Sequence, residues 1–155
     1  MDLSDLLKPD AILASLHAQS KKQVLQEVCA TAARLTGLAE REIFDTLLQR
    51  ERLGSTGVGH GVAIPHGKLR PLDRLVGVFA RLARPVDFDS LDDQPVDLVF
   101  VLLAPESAGA DHLKALARIA RVLRDPTLAQ KLRAADGVDA IHTILTGSAE
   151  ASHAA

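Results

Sequence analysis

The chain has 155 residues, of which 47% are apolar and 25% charged, and its formal net charge is −2. This composition is typical of one soluble globular domain with its own core. It argues against nucleic acid as a main partner, because the chain lacks a basic excess and contains no Trp or Tyr. Cys29, the only cysteine, cannot form an internal disulfide, and no apolar run is long enough to cross a bilayer. We therefore expect a cytoplasmic protein that is not inserted in a membrane.

The first half of the chain predicts one strand and two helices. We expect the strand at residues 12–17 and a helix at 21–35, with Ser20 as its N-cap and Gly37 as its stop. A second helix is expected from about residue 40 to about residue 53, because apolar residues recur there at helical spacing. Gly54 ends it.

The second half predicts three strands followed by three helices. The strands are expected at 62–65, 75–82 and 96–103, and the last is apolar throughout from Leu98, which is typical of a strand buried on both faces. Pro105 is expected to end it. Helices are expected at 111–123, from the Asp125-Pro126 pair onward, and around 138–145. This order predicts an α/β fold: residues 1–146 form a single three-layer α/β/α domain with a mixed sheet flanked by helices, and 147–155 form a disordered tail.

A glycine-rich segment precedes a single histidine in the middle of the chain. Its four glycines lie just ahead of Val62-Ala63-Ile64, after which the chain reads Pro65-His66-Gly67; they are Gly54, Gly57, Gly59 and Gly61. Such density indicates backbone that comes close to a ligand or takes positive φ. The segment is not a P-loop, since no Ser or Thr follows Lys68, and it lacks the GxGxxG spacing of dinucleotide sites. Nucleotide binding is therefore disfavoured.

The residue types around His66 suit phosphoryl transfer. A neutral imidazole is nucleophilic near neutral pH and can accept a phosphoryl group directly. Arg50 could contact the phosphate through its guanidinium, and Ser55 and Thr56 could offer hydroxyls. From the residues alone, a plain surface loop with an exposed His66 remains an equal alternative.

A longer pattern decides between these interpretations. Glu51 is followed after six residues by Val58-Gly59 and, after two more, by the run from Val62 to Gly67. This pattern resembles the active-site signature of the type 2 (fructose/mannitol class) IIA domains of the phosphoenolpyruvate-dependent phosphotransferase system. Residues 41–68 and 88–106 further resemble the nitrogen-regulatory branch of that family.

The resemblance implies a function and a set of site residues. It implies that His66 accepts the phosphoryl group on Nε2, that Arg50 steadies the phosphate, and that His112 is the second histidine of the site. Gly59 and Gly67, with Ser55 and Thr56, are expected to support the loop around the phosphate. No cofactor is implied, neither Mg²⁺ nor a nucleotide, and the chain would be a relay component rather than a free-standing metabolic enzyme.

The resemblance also implies partners. An HPr/NPr-type phosphocarrier would dock on an apolar rim, for which Val58, Val62 and Leu69 are the candidates. The phosphorylation state would then control regulatory target proteins, such as potassium transport or sensor kinase proteins. Two alternatives stay open: a IIA component of a sugar permease that passes phosphate to a IIB cysteine, and a binding module that is never phosphorylated.

Two secondary interpretations concern neighbours of His66. His60 could join His66 and His112 at a metal, but no Cys or acidic cluster accompanies them, which disfavours a metal site. Glu51 is expected to brace Arg50 or the loop rather than to take part in chemistry.

Overall fold

A computed structural model of the chain describes the backbone of residues 2–154 and the side chains of residues 2–147. Within these residues the chain forms six strands, which are β1 (Ile12–Leu16), β2 (Gly57–Gly59), β3 (Val62–Ala63), β4 (His66–Leu69), β5 (Val76–Val86) and β6 (Val96–Pro105). The same residues form six α-helices, which are α1 (Leu3–Leu6), α2 (Lys21–Thr36), α3 (Glu40–Arg52), α4 (Ala110–Arg124), α5 (Pro126–Ala134) and α6 (Val138–Ala154). A 3₁₀ turn, Pro9–Ala11, leads into β1.

The strands build one mixed sheet in the order β1-β5-β6-β3-β2, with β4 also paired to β6. The pairs β1/β5, β3/β6 and β4/β6 are parallel, whereas β5/β6 and β2/β3 are antiparallel. Val62 pairs with Leu98 and His66 with Leu102, so β3 and β4 keep the same offset against β6. They are one strand in two pieces, and Pro65 between them accepts the Leu102 N–H at 3.0 Å.

The central strand β6 separates two apolar cores by the alternation of its side chains. Leu98, Phe100 and Leu102 pack with residues of α1, α4, α5 and α6. Val99, Val101 and Leu103 pack with residues of α2 and α3. The three-layer α/β/α fold with a mixed sheet is thereby confirmed, as is the burial of this strand on both faces.

The helix ends follow the sequence signals closely. The Ser20 side chain accepts the Gln23 N–H at 3.1 Å, and Gly37 ends α2 with φ of 76°. The Asp125 carboxylate accepts the Thr127 N–H at 2.9 Å at the start of α5. These contacts confirm the predicted N-caps and the predicted stop.

Several strand boundaries differ from the prediction. β5 continues to Val86 and β6 to Pro105, so Pro105 is the last residue of its strand rather than the one after it. β2, β4 and α1 were not predicted at all. The two strands are short and poor in apolar residues, and they form because β3 and β6 lie beside them.

The C-terminal helix is longer than expected, because its backbone continues from Val138 to Ala154. The side chains of 148–154, and all of residue 155, lie outside the described residues, so a disordered tail at 147–155 stays a prediction. None of the helices in the described part is both long and apolar enough to span a bilayer.

Candidate functional site

His66 is the first residue of β4, where the strand resumes after its interruption at Pro65. Because side chains alternate along a strand, His66 and Lys68 lie on the face toward α4, and Gly67 and Leu69 lie on the face toward α3. A Cβ atom at Gly67 would lie 2.6 Å from Thr46 Cγ2 on α3. Gly67 is therefore required for the close approach of α3 to the strand that carries His66.

Arg50 reaches His66 from the last turn of α3. Its Nε–H donates to His66 Nε2 at 3.3 Å, and its Nη1 donates to the Gly54 carbonyl at 2.8 Å. On the other side of the ring, His66 Nδ1 lies 2.8 Å from the Ile64 carbonyl oxygen. A carbonyl can only accept, so Nδ1 carries the proton and Nε2 keeps its lone pair toward Arg50.

His112 approaches His66 from the opposite layer of the fold. It is the third residue of α4, and the centroids of the two imidazole rings are 5.7 Å apart. His112 is buried, and its Nδ1 has no hydrogen-bond partner among the residues that the structure describes. Buried polar atoms are rarely left unpaired, so this nitrogen marks a place where a further group can bind.

Both histidines are held in the neutral form. Burial lowers the pKa of His66, the charge of Arg50 lowers it further, and the hydrogen bond to Ile64 opposes both. Burial also lowers the pKa of His112, and protonation of His66 and the charge of Lys68 would act in the same direction. A pKa below the ordinary histidine value leaves His66 Nε2 unprotonated and nucleophilic at neutral pH.

Glu51 braces the loop after α3 from a buried position. Its carboxylate accepts the Thr56 N–H at 3.2 Å and also the Thr56 hydroxyl, and Lys21 Nζ lies 3.1 Å from Oε2. The Ser55 hydroxyl donates to the Phe88 carbonyl. Of the two roles considered for Glu51, the structure shows the bracing of the loop. The hydroxyls of Ser55 and Thr56 are directed into the loop, and their action at a phosphate stays a prediction.

His60 and Gly61 form the turn between β2 and β3, and Gly59 is the last residue of β2. Gly59 has φ of 96° and His60 has φ of 57°. The His60 N–H donates to Asp92 at 2.9 Å, and Arg133 donates to the His60 carbonyl at 3.0 Å. Across the described residues, no three His, Cys, Asp or Glu side chains come close enough together to hold a metal ion. Gly59 thus precedes a turn that is held in place by Asp92, from the loop after β5, and by Arg133, from α5.

The predicted apolar rim is only partly exposed. Val58 is 45% exposed, but Val62 and Leu69 are 1% and 2% exposed, because they face the two cores. The prediction for Val62 and Leu69 is therefore wrong. Two leucines that we did not consider are prominent: Leu53, 85% exposed after Arg50, and Leu113, 67% exposed after His112. Their places beside two candidate site residues could have suggested them.

Lys68 is a second feature that the sequence interpretation missed. Its charge acts on His112, and it shares a strand face with His66. The strand period of two between positions 66 and 68 was the signal that could have found it. Positive charge therefore acts on both histidines, from Arg50 on His66 and from Lys68 on His112.

Comparison with known proteins assigns this arrangement to a family. The family model described as "Phosphoenolpyruvate-dependent sugar phosphotransferase system, EIIA 2" matches residues 5–148. The chain belongs to this family. The resemblance seen in the signature around His66 is thereby confirmed, and it covers the chain from α1 into α6.

The relatives of this EIIA type 2 chain include several nitrogen regulatory proteins. The one from Bradyrhizobium diazoefficiens is 63% identical over 145 residues, which are 94% of this chain and 95% of the relative. The one from Escherichia coli is 42% identical over 147 residues, 94% of this chain and 90% of the relative. The crystal structure of IIA-Ntr from Neisseria meningitidis superposes with a TM-score of 0.89 at 35% identity, covering 93% of this chain and 99% of that one.

Proposed function

We propose that this chain is a regulatory IIA protein of the nitrogen phosphotransferase system, which is reversibly phosphorylated on His66 by an HPr/NPr-type phosphocarrier. Its phosphorylation state would control target proteins, potassium transport or sensor kinase proteins among them. One observation carries the proposal. His66 is held by its Nδ1–H on the Ile64 carbonyl, so that a bare Nε2 faces Arg50. Relatives that are named nitrogen regulatory proteins support the regulatory role.

The reaction is a direct exchange between two imidazole rings. The His66 Nε2 lone pair attacks the phosphorus of the carrier's phosphohistidine, and the Nε2–P bond forms as the carrier's N–P bond breaks. The electron pair of the broken bond stays on the carrier's ring nitrogen. The Nδ1 proton stays on His66 and keeps its hydrogen bond to Ile64, so the ring does not turn during the transfer. The reverse sequence discharges the protein.

The groups around Nε2 suit the charge of the transferred phosphoryl group. Arg50 stands 3.3 Å from Nε2 and can move its donors from the ring to the phosphate oxygens. His112, at the N-terminal turn of α4, brings an imidazole and the positive end of the helix dipole to the same place. Ser55, Thr56, Gly59 and Gly67 act by fixing the loop and the strand. Preorganised donors of this kind stabilise the charge on transferred oxygens.

We assign the docking surface of the phosphocarrier to exposed apolar side chains near the site residues in the chain. It consists of Leu53, Val58 and Leu113, which are the exposed apolar side chains on the elements that carry or flank Arg50 and His112. The fully buried centre of a protein interface is more apolar than its rim, and these three side chains suit such a centre. The phosphohistidine of the carrier would enter between them, toward Nε2.

The proposal is tested by supplying the phosphate relay. The protein is incubated with phosphoenolpyruvate, enzyme I and an HPr or NPr carrier, and its intact mass is measured. We expect one added phosphoryl group on the wild type and none on His66→Ala, whose fold is checked by circular dichroism. Phosphorylation that persists in folded His66→Ala would refute His66 as the acceptor.

A sugar-permease role is the second candidate, because the fructose-specific EIIABC component of Bacillus subtilis is 34% identical over 94% of this chain. A pull-down with phosphorylated and unmodified protein separates the two roles. Partners that bind only one of the two forms support regulation, whereas transfer of the phosphoryl group to a IIB cysteine supports the sugar route.

A further inference from the structure

Lys21, the first residue of α2, meets an acceptor with each of its three N–H donors. Its Nζ lies 3.1 Å from Glu51 Oε2, 3.1 Å from Asp89 Oδ2 and 3.3 Å from the Phe88 carbonyl oxygen. The same ammonium stands 5.7 Å from the centroid of the Phe88 ring. One side chain thus joins the start of α2, the end of α3 and the loop after β5.

Glu51 depends on this contact. Its side chain is 3% exposed, and Lys21 is the only cation within 4.0 Å of its carboxylate among the described residues. A buried carboxylate is stable only when a charge and hydrogen-bond donors compensate for the lost water. Burial lowers the pKa of Lys21, but its hydrogen bonds to Glu51 and Asp89 outweigh that effect and raise it, so the ammonium stays charged.

A continuous run of hydrogen bonds leads from Glu51 to His66. The Glu51 carboxylate holds the Thr56 N–H and hydroxyl, and the Thr56 carbonyl accepts the Ile64 N–H at 3.0 Å. The Ile64 carbonyl in turn accepts the His66 Nδ1–H at 2.8 Å. The ring orientation of His66 therefore depends on the loop that Lys21 and Glu51 hold together.

The same loop positions the arginine. Arg50 precedes Glu51 in the last turn of α3, and its Nη1 donates to the Gly54 carbonyl at 2.8 Å. The Gly54 N–H donates back to the Glu51 carbonyl at 3.1 Å. A shift of Glu51 would move both anchors of the Arg50 side chain, its Cα and its carbonyl partner.

We propose that Lys21 is a positioning residue for phosphoryl transfer: through Glu51 it holds Arg50 and the His66 ring in the geometry that accepts the phosphoryl group. In this role Lys21 acts through Glu51, which it contacts at 3.1 Å, rather than on the phosphoryl group itself. This inference rests on the proposed function, because it assumes that His66 is the acceptor. Misplacement of reacting groups by about 1 Å can cost about a hundredfold in rate, so a supporting contact of this kind can be decisive.

The test compares Lys21→Met with Lys22→Met, which removes an exposed lysine from the next position on the same helix. Transfer from the phosphorylated carrier is measured over a range of carrier concentrations. We expect Lys21→Met to lower kcat by roughly tenfold with little change in KM, because the docking leucines are untouched. Lys22→Met should match the wild type, and Lys21→Arg should recover most of kcat, because its guanidinium can pair with Glu51.

A spectroscopic measurement separates positioning from mere stabilisation. In ¹⁵N-detected spectra of the unphosphorylated protein, His66 should show a protonated Nδ1 in the wild type and a mixture of ring tautomers in Lys21→Met. Loss of thermal stability alone would leave the tautomer and kcat unchanged well below Tm. If Lys21→Met does not fold, Lys21→Gln replaces it, since its amide keeps one donor for Glu51 but carries no charge.

Folded Lys21→Met or Lys21→Gln with wild-type kcat and a wild-type His66 spectrum would overturn the inference. That result differs from a failure of the proposed function, in which the wild type itself would take up no phosphoryl group on His66. Absence of phosphorylation on His66 in the wild type would contradict both the proposed function and the role of Lys21.

Discussion

The two halves of the site around His66 are built differently. On the side of α3, Arg50 and Glu51 are tied to the loop and the strand by hydrogen bonds, and an ion pair with Lys21 anchors them. On the side of α4, His112 has a buried nitrogen without a partner in the described part of the chain, and the next residue, Leu113, is largely exposed. One half is thus held in place by contacts within the chain, whereas in the other half a buried nitrogen has no partner among the described residues. The predictions below test that division.

The largest effect on the transfer rate is expected on the side of α3. Arg50→Ala removes the donor that stands 3.3 Å from His66 Nε2. Because this donor would act on the charge of the transferred group, we expect phosphoryl transfer to slow by about 10²- to 10³-fold, the range seen when one such donor is lost. Rapid-quench measurement with the phosphorylated carrier gives the rate, and thermal unfolding serves as the control. Equal rates in folded mutant and wild type would remove Arg50 from the site.

A smaller effect is expected from the packing of α3 against β4. Gly67→Ala would bring a methyl group within 2.6 Å of Thr46 Cγ2, so α3 must move away from β4. We expect a loss of about 1–3 kcal/mol in the free energy of unfolding, the usual cost of overpacking, measured by urea denaturation. The double variant Gly67→Ala/Thr46→Ala removes the methyl group of the clash and should recover most of it. No recovery would mean that the strain lies in the backbone of β4.

Substitutions on the side of α4 should change turnover rather than stability. His112→Gln removes an imidazole that would form a charge-assisted hydrogen bond, worth about 1.5 kcal/mol, so we expect kcat to fall by roughly tenfold. Leu113→Ser alters the neighbouring apolar contact and should instead raise the KM for the carrier. Steady-state transfer assays resolve the two effects. A change in KM alone for His112→Gln would place His112 in the docking surface and outside the transfer step.

The smallest effect is a pH dependence shared by both halves. The pKa values of His66 and His112 lie below the ordinary value of 6.5, mainly through burial. Below that value the unfolded chain binds more protons than the folded one, so these groups stabilise the fold at neutral pH and this stability is lost as the pH falls. Urea unfolding between about pH 7.5 and about pH 5.5 measures the slope, which His112→Gln should make shallower. Parallel slopes would show that burial of His112 has no such effect.

Much of the fold was predictable because its signals are local. The apolar run from Leu98 indicated a strand buried on both faces, and the caps at Ser20 and Asp125 marked helix starts. β2 and β4 escaped prediction because they contain three and four residues with little apolar character, and they exist only beside their partners. Pairing of that kind is decided by tertiary contacts and not by propensity.

The residues of the site also fall into those that the sequence predicted and those that it did not. The signature pattern brought out His66, and the structure places Arg50 and His112 against it, as the family resemblance implies. Lys21 escaped because it lies 30 residues before Glu51, and nothing local distinguishes it from Lys22. Val62 and Leu69 were misassigned to the rim because an apolar residue near a site looks the same in sequence whether it faces solvent or core.

The strand formed by β3 and β4 has one open edge, and this affects how the protein behaves in a crowded solution. β2 covers only the β3 part of this strand, and within the described residues no strand pairs with the outer edge of β4. An open strand edge invites a strand from another molecule and can start aggregation. Here the open stretch is four residues long, carries the exposed Lys68 and is followed by Arg70. Short length and positive charge are common safeguards of such edges, so the segment that begins with His66 is protected against self-association.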